Sequence, residues 1–157
     1  MNFNSTKVQV SKYTEKPQRS LLAKYGEQAF ENEKCTRCHV LNVKEEKWGK
    51  KSLDGFGGSR SSSLLSDFLI NPKILYPSTR MPSFEHLQLE NLNKKTLRES
   101  FGAKLIPESE FELAWKSLNN EADSLVRVIN KKSTNKHLKS ESTAIIGFLQ
   151  SITQNDN

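Results

Sequence analysis

From Ser20 onward, apolar residues recur at helical spacing in short stretches, separated by polar connections marked by proline and glycine. Leu22, Gly26, Ala29 and Phe30 fall on one stripe while Lys24, Glu27, Glu31 and Glu33 lie off it. This predicts an amphipathic helix over Leu21 to Glu33 with Ser20 as its N-cap. Gly26 within that stripe costs about 1 kcal/mol relative to alanine, so its presence predicts the close approach of another helix. Ser61 to Ser63 offer caps for a short helix that turns Leu64, Leu65, Phe68 and Leu69 inward. Asn71-Pro72 should end it, because a residue before proline disfavours helical geometry. Lys94 to Phe101 predicts a further helix, closed by Gly102. Phe111, Ala114, Trp115 and Leu118 then mark a helix from Glu108 to about Asn119. Leu125, Val126, Val128 and Ile129 mark another from Glu121 to Asn130, and the two are expected to form a helical hairpin over the core. The last helix starts near Ser140 or Ser142 and runs to Ile152. Its face of Ala144, Ile145, Phe148, Leu149 and Ile152 is expected to cross the first helix near Gly26 and Phe30.

These elements predict an all-α fold. Residues 1–19 read as a polar arm, 20–153 as one domain with an insert at about 88–139, and 154–157 as a polar tail. With 34 % hydrophobic and 8 % aromatic residues the chain can bury only a modest core, which a large apolar cofactor would supplement. The formal charge of +6 implies attraction to an acidic partner, or simply a solvated surface. Lys44, Lys47, Lys50, Lys51, Lys94, Lys95, Lys131, Lys132, Lys136 and Lys139 lack the interleaved aromatics that stack bases, which argues against nucleic acid. The longest apolar run, Ala144 to Leu149, is far short of the roughly 20 residues of a membrane span.

Chemistry enters with Cys35-Thr36-Arg37-Cys38-His39, the attachment sequence of a c-type haem. Each thiol can add to one porphyrin vinyl group while the next residue sets an imidazole under the iron. Other uses of the cysteines fit less well. Zinc normally takes four ligands, and two cysteines and three histidines in all give no second paired cluster. A thioredoxin-like pair would follow a strand in an alternating β/α pattern, and a disulfide this tight would stabilise little. Leu53-Asp54-Gly55-Phe56-Gly57-Gly58-Ser59-Arg60 supplies backbone suited to run against a flat cofactor. Arg60 is a candidate donor to a haem propionate, or else an exposed arginine. Met81 precedes Pro82, which restricts it to extended backbone. A thioether there suits the second axial position of the iron, the alternative being a core methionine. His86 and His137 lie in polar stretches and read as surface groups, and either is a substitute ligand should Met81 not serve. Trp115 reads as a packing residue.

In order and spacing these motifs resemble a class I cytochrome c over about residues 13–153. They are Gly26 and Phe30, the Cys35 to His39 pentapeptide, Leu53 to Ser61, Asn71-Pro72, Tyr76 to Phe84, and Ile145 to Ser151. The lysine-containing helix after Met81-Pro82 and the expected hairpin look like the mono-haem subunit of cbb-type haem-copper oxidases. The resemblance implies a cytochrome c fold around one haem c, bound through Cys35 and Cys38 with His39 proximal and Met81 distal. It implies one-electron transfer in place of catalysis, as a soluble carrier or an oxidase subunit, with a haem-based sensor or ligand-binding haem protein as the alternative. Redox partners with an acidic face, membrane oxidase subunits, and a place in the periplasm or on the outer face of the inner membrane go with it. The mitochondrial intermembrane space is the second location. Met1 to Lys7 do not form a signal peptide, so an export signal or anchor is expected to lie outside this sequence. Where the family usually has Gly-Pro-x-Leu, this chain has Lys50-Lys51-Ser52-Leu53. There the Lys51 carbonyl would take over the hydrogen bond from the proximal histidine.

Overall fold

The structure is a computed structural model that describes residues 19–41, 50–55, 57–133 and 135–152. Most of the expected arm, Lys44, Lys47, Trp48 and Phe56, and the polar tail lie outside the described residues. Five helices dominate: α1 (Leu21–Asn32), α2 (Ser62–Ile70), α3 (Lys94–Ser100), α4 (Glu108–Lys132) and α5 (Glu141–Ser151). The only strands among the described residues are two of two residues each, His39–Val40 (β1) paired in parallel with Lys51–Ser52 (β2). No described helix is long and apolar enough to cross a membrane.

Helix α1 begins where Ser20 accepts from the Ala23 N–H at 3.2 Å, and Glu121 of α4 accepts from the Leu22 N–H at 2.9 Å. Two of the orphan donors at that helix start are thereby satisfied, one of them from 99 residues away. Arg19, assigned to the arm from sequence, is tied to this helix by an ion pair with Glu27 at 2.7 Å. Its guanidinium lies over the Phe148 ring, 5.0 Å from the centroid.

The core is centred on the crossing of α1 with α5. A Cβ at Gly26 would stand 2.0 Å from the carbonyl oxygen of Ala144 and 2.8 Å from the Phe148 Cβ, so only glycine allows this contact. One turn further, Phe30 and Phe148 meet edge to face with centroids 5.3 Å apart. Ala144, Ile145, Phe148, Leu149 and Ile152 are all buried as the stripe predicted. Glu141 to Thr143 and Ile146 are buried too, so the start of α5 is enclosed on every side.

Two expectations are corrected. The region from Glu108 to Lys132 is one continuous helix and not two helices of a hairpin. Asn119 and Asn120 do not break it. The Asn119 amide donates to the Trp115 carbonyl at 2.9 Å, and the Ser124 hydroxyl donates to the Asn120 carbonyl at 3.1 Å, so the local polar groups are spent within the helix. Phe111, Leu118, Ala122 and Ile129 then form one buried stripe along its length. Secondly, His137 is not a surface group but is buried at 2 % exposure. Asn130 holds its backbone from both sides, accepting from the His137 N–H at 2.7 Å and donating to its carbonyl at 3.0 Å. Its ring lies between Ser66 of α2 and Thr143 of α5.

Candidate functional site

The pentapeptide follows directly on α1. Lys34 takes a left-handed conformation (φ 60°) that turns the chain out of the helix, and Cys35–Arg37 form a single 3₁₀ turn closed by the Cys38 N–H on the Cys35 carbonyl at 3.1 Å. From across the site the Lys50 ammonium donates to the Thr36 carbonyl at 2.9 Å. The two thiols are unpaired. Cys35 is half-buried against the core and Cys38 is exposed. Burial, and then the nearby Glu33 carboxylate, push the Cys35 thiol up to about 11, so it is protonated at neutral pH.

His39 opens β1, and the parallel register sets it beside Lys51. The ladder is closed by the Lys51 N–H on the Cys38 carbonyl at 2.9 Å and the Leu53 N–H on the Val40 carbonyl at 3.1 Å. The imidazole is half-buried. Desolvation lowers its pKa, while the Lys51 carbonyl favours a proton on the ring. Its Nδ1 is buried with no hydrogen-bond partner among the described residues, so the ring is uncommitted on that side.

Met81 is half-buried against the same hydrophobic core as Cys35. Its N–H donates to the Thr79 hydroxyl at 3.1 Å, and the Phe84 N–H donates to the Leu69 carbonyl at 2.8 Å. The segment is thus fastened to α2 while remaining without regular structure. An open cleft of about 600 Å³ runs along it, bounded by Asn71, Lys73, Thr79, Arg80 and Met81. This cleft reaches neither His39 nor the cysteines. Arg60 is half-buried just after the Gly57–Ser59 turn, with its carbonyl accepting from Gln150 of α5 at 3.4 Å.

The donors required by a covalently held, axially ligated haem are therefore present in usable form: two thiols outside any disulfide, an uncommitted imidazole and a half-buried thioether. The hydrogen bond expected from His39 to the Lys51 carbonyl is not closed, and the buried Nδ1 beside Lys51 is left without a partner among the described residues; the donor set of two thiols, an imidazole and a thioether is what fits the group. Of the other histidines, His86 is exposed and paired with Glu33 at 3.2 Å. With Glu90 these form the only set of three metal-type donors converging among the described residues, within 4.8 Å of one another. Sequence reasoning passed over Glu90, and equally the buried pair in which the Tyr25 hydroxyl donates to the Glu141 carboxyl. Tyr25 lies three residues after Leu22 and four before Ala29, so the stripe itself pointed to its burial.

No protein-family profile matches this chain, and a search of curated proteins finds no match.

Proposed function

We propose that the chain is a one-electron transfer domain carrying a single haem c, attached through Cys35 and Cys38, with His39 and Met81 as iron ligands. The observation that carries this reading is the joint presentation of two unpaired thiols and an uncommitted imidazole on the turn directly beyond α1. The α1–α5 crossing at Gly26 supports it, since a cytochrome c fold closes its two terminal helices in this way.

When bound, haem supplies reversible one-electron chemistry, and thioether ligation raises its reduction potential. Cys35 and Cys38 would hold the group covalently. His39 would give one ring nitrogen to iron and leave the other for the Lys51 carbonyl, which fixes the ring's orientation. Pro82 restricts the Met81 backbone, and the Thr79 hydroxyl steadies its N–H, so little freedom is lost when the sulfur engages. Arg60 would offer its planar fork to a propionate. With His39 and Met81 both holding the iron, no position would be left for a substrate, and the domain would move electrons without catalysing a reaction. It would do so as a free periplasmic carrier or as the extramembrane haem subunit of a respiratory complex such as a cbb-type oxidase.

The test is spectroscopic, on protein matured with haem-attachment machinery. The oxidised form is expected to show the weak band of sulfur-ligated iron, and the reduced form is expected to bind no carbon monoxide. Carbon monoxide binding by the wild type would instead favour a sensor or ligand-binding haem protein. Met81→Ala is expected to lower the potential and admit carbon monoxide, whereas an unchanged spectrum would remove Met81 from the site.

A further inference from the structure

The three converging donors Glu33, His86 and Glu90 come from separate segments of the chain. Glu33 caps the C-terminus of α1, its N–H on the Ala29 carbonyl at 2.9 Å. His86 lies in the 3₁₀ turn Glu85–Gln88, and Glu90 stands two residues past the end of that turn. The other two backbones are fastened as well: the His86 carbonyl accepts from the Leu89 N–H at 3.0 Å, and the Glu90 carbonyl accepts from the Glu141 N–H of α5 at 2.8 Å. The His86 ring also lies against Phe84, with centroids 6.1 Å apart, and Phe84 rests on the core. The three side chains are therefore anchored at their roots, with Glu33 half-buried and His86 and Glu90 exposed.

The charge at this place is negative, although the chain as a whole carries +6. Among the described residues no lysine or arginine pairs with either carboxylate, and the one ion pair there runs from His86 Nε2 to Glu33 Oε2 at 3.2 Å. The negative field reaches two neighbours. Burial pushes the Glu141 carboxyl up to about 7, and Glu90 and Glu33 add to that. Glu33 adds to burial in the same way at the Cys35 thiol. Two carboxylates held this close repel each other, and a cation between them turns that repulsion into attraction.

We propose that Glu33, His86 and Glu90 form a binding site for one divalent transition-metal ion of the zinc type. The donor set selects the class of ion. An imidazole nitrogen with two carboxylate oxygens suits zinc and its first-row neighbours, whereas calcium and magnesium take oxygen donors. Zinc bonds of about 2.0–2.2 Å place the ligand atoms of a tetrahedral site roughly 3.4 Å apart. The Nε2–Oε2 pair stands at 3.2 Å, and all three donor atoms lie within 4.8 Å of one another, so a rotation of the exposed Glu90 side chain closes the set. Three protein ligands leave the remaining position to water. A cation here would tie the end of α1, two residues before Cys35, to the segment that follows Met81. The site consists of polypeptide donors alone and stands whether or not the haem reading holds.

Calorimetric titration with zinc chloride tests it, on the full chain matured with haem-attachment machinery. Any thiol still free is first capped with iodoacetamide, so that neither Cys35 nor Cys38 can hold zinc and the outcome does not depend on haem attachment. Wild type is expected to bind zinc saturably at His86, with calcium in large excess failing to displace it. His86→Gln and Glu90→Gln are each expected to weaken that binding by at least about tenfold, the loss that follows even from disturbing an outer partner of a metal ligand. Both side chains are exposed, so neither substitution threatens the fold. Glu110→Gln, which alters an exposed carboxylate outside the cluster, is expected to bind as wild type does. Zinc is also expected to raise the thermal unfolding midpoint of wild type and not that of His86→Gln. Absence of saturable binding, binding unchanged in His86→Gln, or displacement of zinc by calcium would overturn the proposal.

Discussion

With Ser66 on one ring nitrogen and Thr143 on the other, each at 2.9 Å, His137 is neutral in the folded chain. Burial alone pushes its pKa down to about 4. The Thr143 hydroxyl donates to the Leu138 carbonyl at 3.1 Å, which spends its one hydrogen. Nε2 must then be the protonated nitrogen, with Nδ1 accepting from Ser66. A depressed histidine pKa means that the unfolded chain binds the proton first. The stability His137 contributes is complete above about 6.5 and is lost as pH falls toward 4, an effect of about 3 kcal/mol. Glu141 acts in the opposite sense, its contribution present below about 4.5 and lost as pH rises through 7. The two slopes partly cancel in the wild type, so His137 is read by difference. In denaturant titrations the advantage of wild type over His137→Gln is expected to shrink by about 2–3 kcal/mol between pH 7.5 and 4.5; parallel pH profiles would contradict this. Among the described residues the buried Ser142 hydroxyl has no partner, so Ser142→Ala is expected to be neutral or to stabilise by about 1 kcal/mol. Neither residue was legible in the sequence. His137 lies in Asn135-Lys136-His137-Leu138-Lys139, where nothing periodic signals burial, and its partners are 71 residues before it and 6 after.

At the scale of elements, periodicity served best where one apolar face meets one partner. The stripes of α1 and α5 gave both helices nearly to the residue, and Gly26 gave their crossing. Gly26→Ala is expected to cost about 3 kcal/mol, because the clash is with the Ala144 backbone, which cannot rotate away. Phe148→Ala is expected to cost about 3–5 kcal/mol through loss of the Phe30 contact. Thermal unfolding of either variant checks this, and a wild-type midpoint would mean the crossing lies elsewhere. The pattern failed in α4, where Asn119-Asn120 looked like punctuation. Asparagine is a poor helix former but no breaker, and the buried stripe on both sides outweighs it. Asn120→Pro discriminates: a turn would tolerate it, whereas a continuous helix is expected to lose about 3 kcal/mol.

At the scale of the molecule, the candidate site consists of residues that order and spacing single out in the sequence, Cys35 to His39 and Met81. What sequence could not supply was their state: the raised thiol of Cys35, the orphaned Nδ1 of His39 and the cleft beside Met81 depend on what folds around them. Under the proposed function, the formal charge of +6 predicts that association with an acidic redox partner slows as ionic strength rises, which stopped-flow kinetics at two salt concentrations would detect. The central claim is tested most directly by mass spectrometry of the denatured, matured protein and of its Cys35→Ser and Cys38→Ser variants. The account predicts a wild-type mass increased by one haem, with the peptide spanning both cysteines carrying it on two thioether bonds. An unmodified chain with two free thiols after maturation would contradict it.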